Sequence, residues 1–173
     1  MKKIRIGISS CLLGEKVRYD GGDKLDAYLI ENLGNYAEFV PVCPEVECGM
    51  PAPREPMRLT GAPAAPRLVT INTKLDFTEK LSAWAKKRVI ELEKENLSGF
   101  VFKSRSPSCG ARGVEVFSED GVPAKIGTGI FAKILMDKFP LLPLGEEGDL
   151  HDPDAMKKFL QLSGYLKSQL DNL

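Results

Sequence analysis

Ile4-Arg5-Ile6-Gly7-Ile8 alternates β-branched residues with others and then meets Ser9-Ser10, a pattern that predicts a first strand opening into a loop. Leu25, Tyr28, Leu29 and Leu33 recur at helical spacing and stop at Gly34-Asn35, which predicts a helix over 24–33. Phe39-Val40-Pro41-Val42 reads as a short second strand. Residues 44–66 are rich in Pro and Gly with little periodicity, so they read as a long ordered loop or lid; loops beyond about 12–15 residues in compact domains are usually functional or disordered.

Leu68-Val69-Thr70-Ile71 predicts a further strand, and Asp76 or Thr78 is placed to cap the longest helix of the chain. That helix carries Leu81, Trp84, Ala85, Val89, Ile90 and Leu92 on one broad face and Lys and Glu on the other. Gly99-Phe100-Val101-Phe102 is a strand, and residues 104–113 form the loop after it. Ile130 to Met136 is an apolar helix ended near Phe139-Pro140. Leu141 to Leu144 is a short strand, and Asp152-Pro153-Asp154 opens a C-terminal helix through Phe159, Leu160 and Leu162.

Strands alternating with helices imply an α/β, Rossmann-like layered fold with a mostly parallel sheet. The length of 173 residues fits a single domain over 1–173, with the Pro/Gly-rich loop at 44–66 inside it. In such sheets ligands bind outside the carboxyl ends of the strands.

Charge narrows the partners. Lys+Arg and Asp+Glu both number 24, so bulk charge advertises neither a nucleic-acid nor a membrane partner. Met1-Lys2-Lys3 followed by Ile8-Ser9-Ser10-Cys11 looks like the end of a bacterial lipoprotein signal, but Arg5 and Gly7 interrupt the apolar run. A secretory signal needs about 7–15 apolar residues. No segment has the length and freedom from charge of a membrane span. The expected location is therefore a reducing cytoplasm, where cysteines are metal-binding, catalytic or inert more often than paired.

Three of the four cysteines lie in turns that follow predicted strands: Cys11 before Leu12-Leu13-Gly14, Cys43 before Pro44-Glu45, and Cys109 after Ser106-Pro107-Ser108. Core cysteines sit inside apolar periodic runs, whereas these have Ser, Pro, Glu and Gly as neighbours. All three fall at the carboxyl end of the predicted sheet, which points to a shared three-thiolate site. An iron–sulfur cluster normally takes four thiolates, so three would leave one corner open for chemistry.

Zinc is the competitor, but structural zinc takes cysteines two to four residues apart in pairs. Only Cys43 and Cys48 approach that spacing, and His151 lies in an acidic C-terminal stretch. Cys48 as a fourth ligand would close the site, giving an iron–sulfur or zinc carrier module rather than a catalyst. A persulfide-based sulfur-transfer enzyme is a third possibility. Near the cysteines, Glu45, Ser106 and Ser108 suit proton transfer; Asp20, before Gly21-Gly22, is either a site residue or a turn former. Gly127-Thr128-Gly129 before a helix resembles a phosphate cradle, but it lacks the full glycine pattern, so helix entry is the default.

Ser10-Cys11-Leu12-Leu13-Gly14 with Val17-Arg18-Tyr19-Asp20-Gly21, then Cys43-Pro44-Glu45, then Arg105-Ser106-Pro107-Ser108-Cys109-Gly110, together resemble the thiouracil desulfidase family. The likeness runs in order as far as Gly127-Thr128-Gly129-Ile130-Phe131-Ala132. It implies a [4Fe-4S] cluster held by Cys11, Cys43 and Cys109, with the fourth iron open to the sulfur of a thiolated pyrimidine of the 2-thiouracil or 4-thiouridine type. It further implies non-redox hydrolysis to the oxo base and sulfide, with Glu45 and Ser106 handling protons and Asp20 lining the pocket. Members similar to transfer-RNA desulfidases carry an additional C-terminal domain, so the expected substrate is a free thiolated nucleobase or nucleoside. Cys48 departs from the family pattern near Gly49, where a small or apolar residue is expected.

Overall fold

β1 (Ile4–Ser9) lies between two parallel neighbours, β2 (Ala37–Val42) on one side and β5 (Gly99–Phe102) on the other. β8 (Leu144–Glu146) adds beside β5, also parallel, to give the strand order β2-β1-β5-β8. The structure, a computed structural model, describes residues 3–170. Met1 and Lys2, the start of the basic tripeptide weighed above as a leader, lie outside the described residues.

The alternation in β1 sorts its side chains by face. Ile4, Ile6 and Ile8 are buried against Leu29 and Leu33 of α1 (Ala27–Leu33) and Met156 and Phe159 of α5 (Pro153–Leu170). On the other face, Phe100 and Phe102 of β5 pack with Ala85, Val89 and Leu92 of α3 (Thr78–Lys94) and Phe131 and Leu135 of α4 (Ile130–Lys138). Helices thus cover both faces of the sheet, the expected layered α/β arrangement. Burial of each such side chain is worth about 1.5–3 kcal/mol. Gly7 is what lets the second face close: a Cβ there would lie 2.2 Å from the Phe100 ring.

A second sheet, in the order β4-β3-β6-β7, was not foreseen. It consists of β3 (Met57–Thr60), β4 (Arg67–Thr70), β6 (Val114–Phe117) and β7 (Pro123–Gly127). β3 pairs antiparallel with β4 and parallel with β6, and β6 pairs antiparallel with β7. Leu59, Leu68, Val114 and Val116 pack from it onto Leu81 and Ile130, the starts of α3 and α4. The segment 44–66, read from sequence as an irregular loop, therefore contains β3 as well as the single turn α2 (Pro44–Glu47). Its Pro and Gly residues punctuate short elements.

Neither expected residue caps α3 as a side-chain N-cap. Asp76 Oδ1 accepts from the Thr78 N–H at 2.8 Å, and Thr78 Oγ1 accepts from the Leu68 N–H at 2.8 Å, tying the helix start to β4. No described helix is long and apolar enough to cross a membrane.

The chain leaves β1 toward β2 on one side and reaches β5 and β8 on the other, so the carboxyl ends of β1, β2 and β5 meet at a topological switch point. Ser9 Oγ accepts from the Lys103 N–H at 2.9 Å and stitches the ends of β1 and β5 together there. Gly7→Ala forces the Phe100 ring to move and is expected to lower the unfolding free energy by about 1–3 kcal/mol in urea titration, the usual cost of overpacking. An unchanged midpoint would show that the ring is free to shift.

Candidate active site

A cavity of about 490 Å³ opens at that switch point, and Cys11, Cys43 and Cys109 all line it. Cys11 lies in a 3-10 turn, Ser10–Leu13, closed by Gly14. Gly14 takes a left-handed φ of 86°, which glycine adopts without a Cβ penalty, and its N–H donates to the Cys11 carbonyl at 3.2 Å. Cys43 is the N-cap of α2, and Pro44, at the first helical position, pre-sets the φ that begins the turn.

Cys109 sits in a loop held from several sides. Its N–H donates to Ser106 Oγ at 3.0 Å. At the far end of the loop, Glu146 Oε1 of β8 accepts from the Ala111 and Arg112 N–H groups at 2.8 and 3.4 Å. The start of α4 is pressed against the same loop: the N–H groups of Gly129, Ile130 and Ala132 donate to the carbonyls of Gly110, Pro107 and Ser108 at 2.7, 3.1 and 3.1 Å. A Cβ on Gly129 would lie 2.5 Å from Ser108 backbone atoms. Gly127-Thr128-Gly129 is thus a helix entry whose N–H groups clamp the cysteine loop instead of facing a phosphate.

All three thiols are buried. Burial pushes Cys11 up to about 11, against the pull of Lys103 and Arg18. Burial and then the charge of Glu45 push Cys43 up to about 12. The same two causes hold Cys109 well above its ordinary range, opposed by hydrogen bonds from Ser9 and Ser108. A bound cation would relieve this cost by favouring the thiolates.

Glu45 is buried in the cavity wall. Ser108 Oγ donates to its Oε1 at 2.5 Å, and Oε2 lies 3.7 Å from Cys43 Sγ. Arg54 approaches the same Oε2 at 3.9 Å while donating to the carbonyls of Val17 and Pro51 at 2.9 and 3.2 Å. Ser106 Oγ is 3.1 Å from Ser108 Oγ and also lines the cavity, so the three groups form a chain: Glu45, Ser108, Ser106. Of the two serines that the sequence places near Cys109, it is Ser108 that bonds Glu45 directly, whereas the family resemblance implies the proton-handling role for Ser106.

Two expectations land elsewhere. Asp20 is exposed and is not among the residues lining the cavity; its Oδ1 accepts from the Gly22 N–H at 3.0 Å and meets Arg18 Nε at 3.7 Å. Of that turn it is Arg18 and Tyr19 that reach the cavity. Cys48 does not line the cavity either. Its thiol donates to the Glu45 carbonyl at 3.3 Å and packs with the second-sheet cluster. His151 lies apart, bonded through Nε2 to Asp26 at 2.8 Å.

The sequence model of the 2-thiouracil desulfurase family matches residues 6–147. The chain belongs to this family. Its desulfurase match encloses the whole cavity and ends at Glu147, so α5 lies beyond it. Similar proteins include "Uncharacterized protein YbbK" of Bacillus subtilis (strain 168), 32% identical over 110 residues, which are 60% of this chain and 72% of the relative. Among solved structures, the [4Fe-4S]-dependent thiouracil desulfidase TudS superposes with a TM-score of 0.70 at 29% identity, covering 90% of this chain and 97% of that one.

Ser108→Ala removes the hydroxyl that donates to buried Glu45. The unfolding free energy is expected to fall by about 1–3 kcal/mol, the cost of an unsatisfied buried acceptor. Denaturant unfolding of the metal-free protein measures it, and a loss below about 0.5 kcal/mol would mean that Glu45 is satisfied another way.

Proposed function

We propose that this desulfurase-family chain is a [4Fe-4S]-dependent, non-redox desulfidase that hydrolyses the C=S bond of thiolated pyrimidines, giving the oxo base and sulfide. The observation that carries the reading is the convergence of the buried residues Cys11, Cys43 and Cys109 on one cavity, with Glu45 in the same wall and Cys48 outside it. The likeness to TudS supports the cofactor.

The donor set fits that cofactor. Three cysteines and no histidine are among the described residues lining the cavity, a sulfur donor set of the kind that holds iron–sulfur clusters. Cys11, Cys43 and Cys109 would hold it. Bound there, the cluster supplies an iron without a protein thiolate, a Lewis acid for sulfur. The four-cysteine carrier reading requires Cys48 in the cavity, and its thiol is engaged with the Glu45 carbonyl instead.

The chain's own groups supply the rest. Glu45 is the one carboxylate among the described residues lining the cavity, and it acts as the base that takes a proton from the attacking water. Ser108 orients that carboxylate, Arg54 holds its other oxygen, and Ser106, one hydroxyl further on, passes a proton to or from the substrate. The water oxygen replaces sulfur on the ring carbon, and the protons leave with sulfide, so no electron donor is needed. Tyr19 is half-exposed and is the one aromatic among the described lining residues, with the Arg18 guanidinium 5.4 Å from its ring centroid. It offers the pyrimidine a stacking surface. Asp20 acts indirectly, by bracing the turn that presents these two residues. The chain acts as one desulfidase domain on free thiolated bases or nucleosides, and its four free cysteines suit a reducing cytoplasm.

Anaerobic reconstitution is expected to load about four irons per chain, as the cofactor requires, and the loaded protein to release sulfide from 2-thiouracil or 4-thiouridine. A fully loaded cluster without sulfide release from either compound would sink the proposed activity. Cys48→Ala should keep iron content and turnover, whereas Ala at Cys11, Cys43 or Cys109 should lose the cluster. Glu45→Gln should lower kcat by about a hundred-fold or more, the scale of acid–base catalysis. Tyr19→Ala should raise KM roughly ten-fold, the scale of one base-stacking contact, with kcat little changed.

A further inference from the structure

Lys103 lines the cavity at the carboxyl end of β5, and protein acceptors hold its ammonium. Nζ donates to the carbonyl and hydroxyl of Ser104 at 3.0 and 3.1 Å and is paired with Glu147 Oε1. Glu147 is fixed in turn: Oε2 accepts from the Ser104 N–H, and Oε1 from the Ser104 hydroxyl, both at 2.7 Å. The two side chains are only 18% and 14% exposed. Burial pushes the Glu147 carboxyl up, but the bonds from Lys103 and Ser104 outweigh it and leave its pKa below the ordinary value.

The pair is oriented. Lys103 forms part of the cavity wall, whereas Glu147 is not among the lining residues. A lysine left to itself would swing its ammonium into water, where its field is screened. A fixed, largely buried ammonium acts through a lower dielectric and is screened less.

We propose that Glu147 is a positioning residue that fixes the Lys103 ammonium at the wall of the cavity shared by Cys11, Cys43 and Cys109, making Lys103 the cation that offsets the negative charge of the three-cysteine site and of the sulfur leaving the substrate. The inference rests on the cluster-bearing desulfidase reading. Lys103 then acts on charge and Glu147 acts through Lys103: without the carboxylate the ammonium swings toward water, where its field is screened, so losing Glu147 mimics losing Lys103. Two independent charges would instead shift the site in opposite directions.

The test is the reduction potential of the reconstituted cluster in wild type, Lys103→Met, Glu147→Gln and the double variant, followed by anaerobic EPR-monitored titration. Lys103→Met is expected to shift the potential negative, and Glu147→Gln to shift it negative as well in the wild-type background, whereas in the Lys103→Met background loss of Glu147 no longer shifts it negative. Lys103→Arg, which keeps the charge, should stay near wild type, and Lys103→Met should lower kcat more than it raises KM. A Glu147→Gln shift that is the same with and without Lys103, or a Lys103→Met variant that holds the cluster with no shift, overturns the inference and leaves the desulfidase reading standing. If either single variant loses the cluster, Lys103→Arg decides: a wild-type potential supports the charge role, and a shifted one overturns it. A wild-type protein that takes up no cluster overturns the function and the inference with it.

Discussion

The position of β1 between β2 and β5 is the constraint on which the site depends. Parallel pairing on both sides directs three strand ends to one edge of the sheet, and the reversal of strand order opens a crevice there. Cys11 follows β1, Cys43 follows β2 and Cys109 follows β5, so residues far apart in sequence meet because their strands are neighbours. The period of two makes this placement strict: a slip of one residue in β1 would turn Ile4, Ile6 and Ile8 onto the Phe100 face and put Gly7 where bulk is needed. Core packing on the two sides of one strand thus holds the cavity in register.

The cavity runs against the usual preference for uncharged interiors. Three buried thiols, a buried carboxylate and the Arg54 guanidinium share it, and each anion raises the cost of the others. The protein offsets this with oriented groups. Ser108 and Arg54 act on Glu45, hydrogen bonds from Ser9 and Ser108 favour the Cys109 thiolate, and the charge of Lys103 favours that of Cys11. Burial still holds the three thiols above their ordinary range, and a bound cation would relieve that cost by favouring the thiolates.

The elements that pack on the main sheet were legible because their apolar positions repeat with a clear period. β1, β2, β5, α3 and α4 fall where the alternation and helical spacing place them. Of the second sheet only β4 was legible, at the expected strand Leu68–Ile71. β3 hides among prolines and glycines, and β7 carries Pro123, Ala124, Lys125 and Ile126 all exposed, so no apolar face marks it. In the site, turn context singled out the three cysteines and Glu45. Which of Ser106 and Ser108 meets Glu45 depends on how the loop folds over Pro107. Asp20 precedes Gly21-Gly22, and the turn-forming preference of that dipeptide won. Glu146 and Glu147 clasp the two ends of the Cys109 loop from far along the chain, a pairing no local pattern encodes.

Cys48 shows why spacing alone misleads. With Cys43 it makes the only close cysteine pair in the chain, the feature that most suggests a knuckle-type metal site. Between the two lies α2, with Cys43 as its N-cap and Cys48 as its C-cap. One helical turn carries the chain away from the cavity, and the Cys48 N–H is drawn to the carbonyls of the same turn. The Cys48 thiol ends against the Glu45 carbonyl and the second-sheet core, beside Lys80 instead of the three buried thiols. The helix that separates these cysteines is the one that buries Glu45 beside Cys43, so the geometry that supplies the base also removes the fourth thiol.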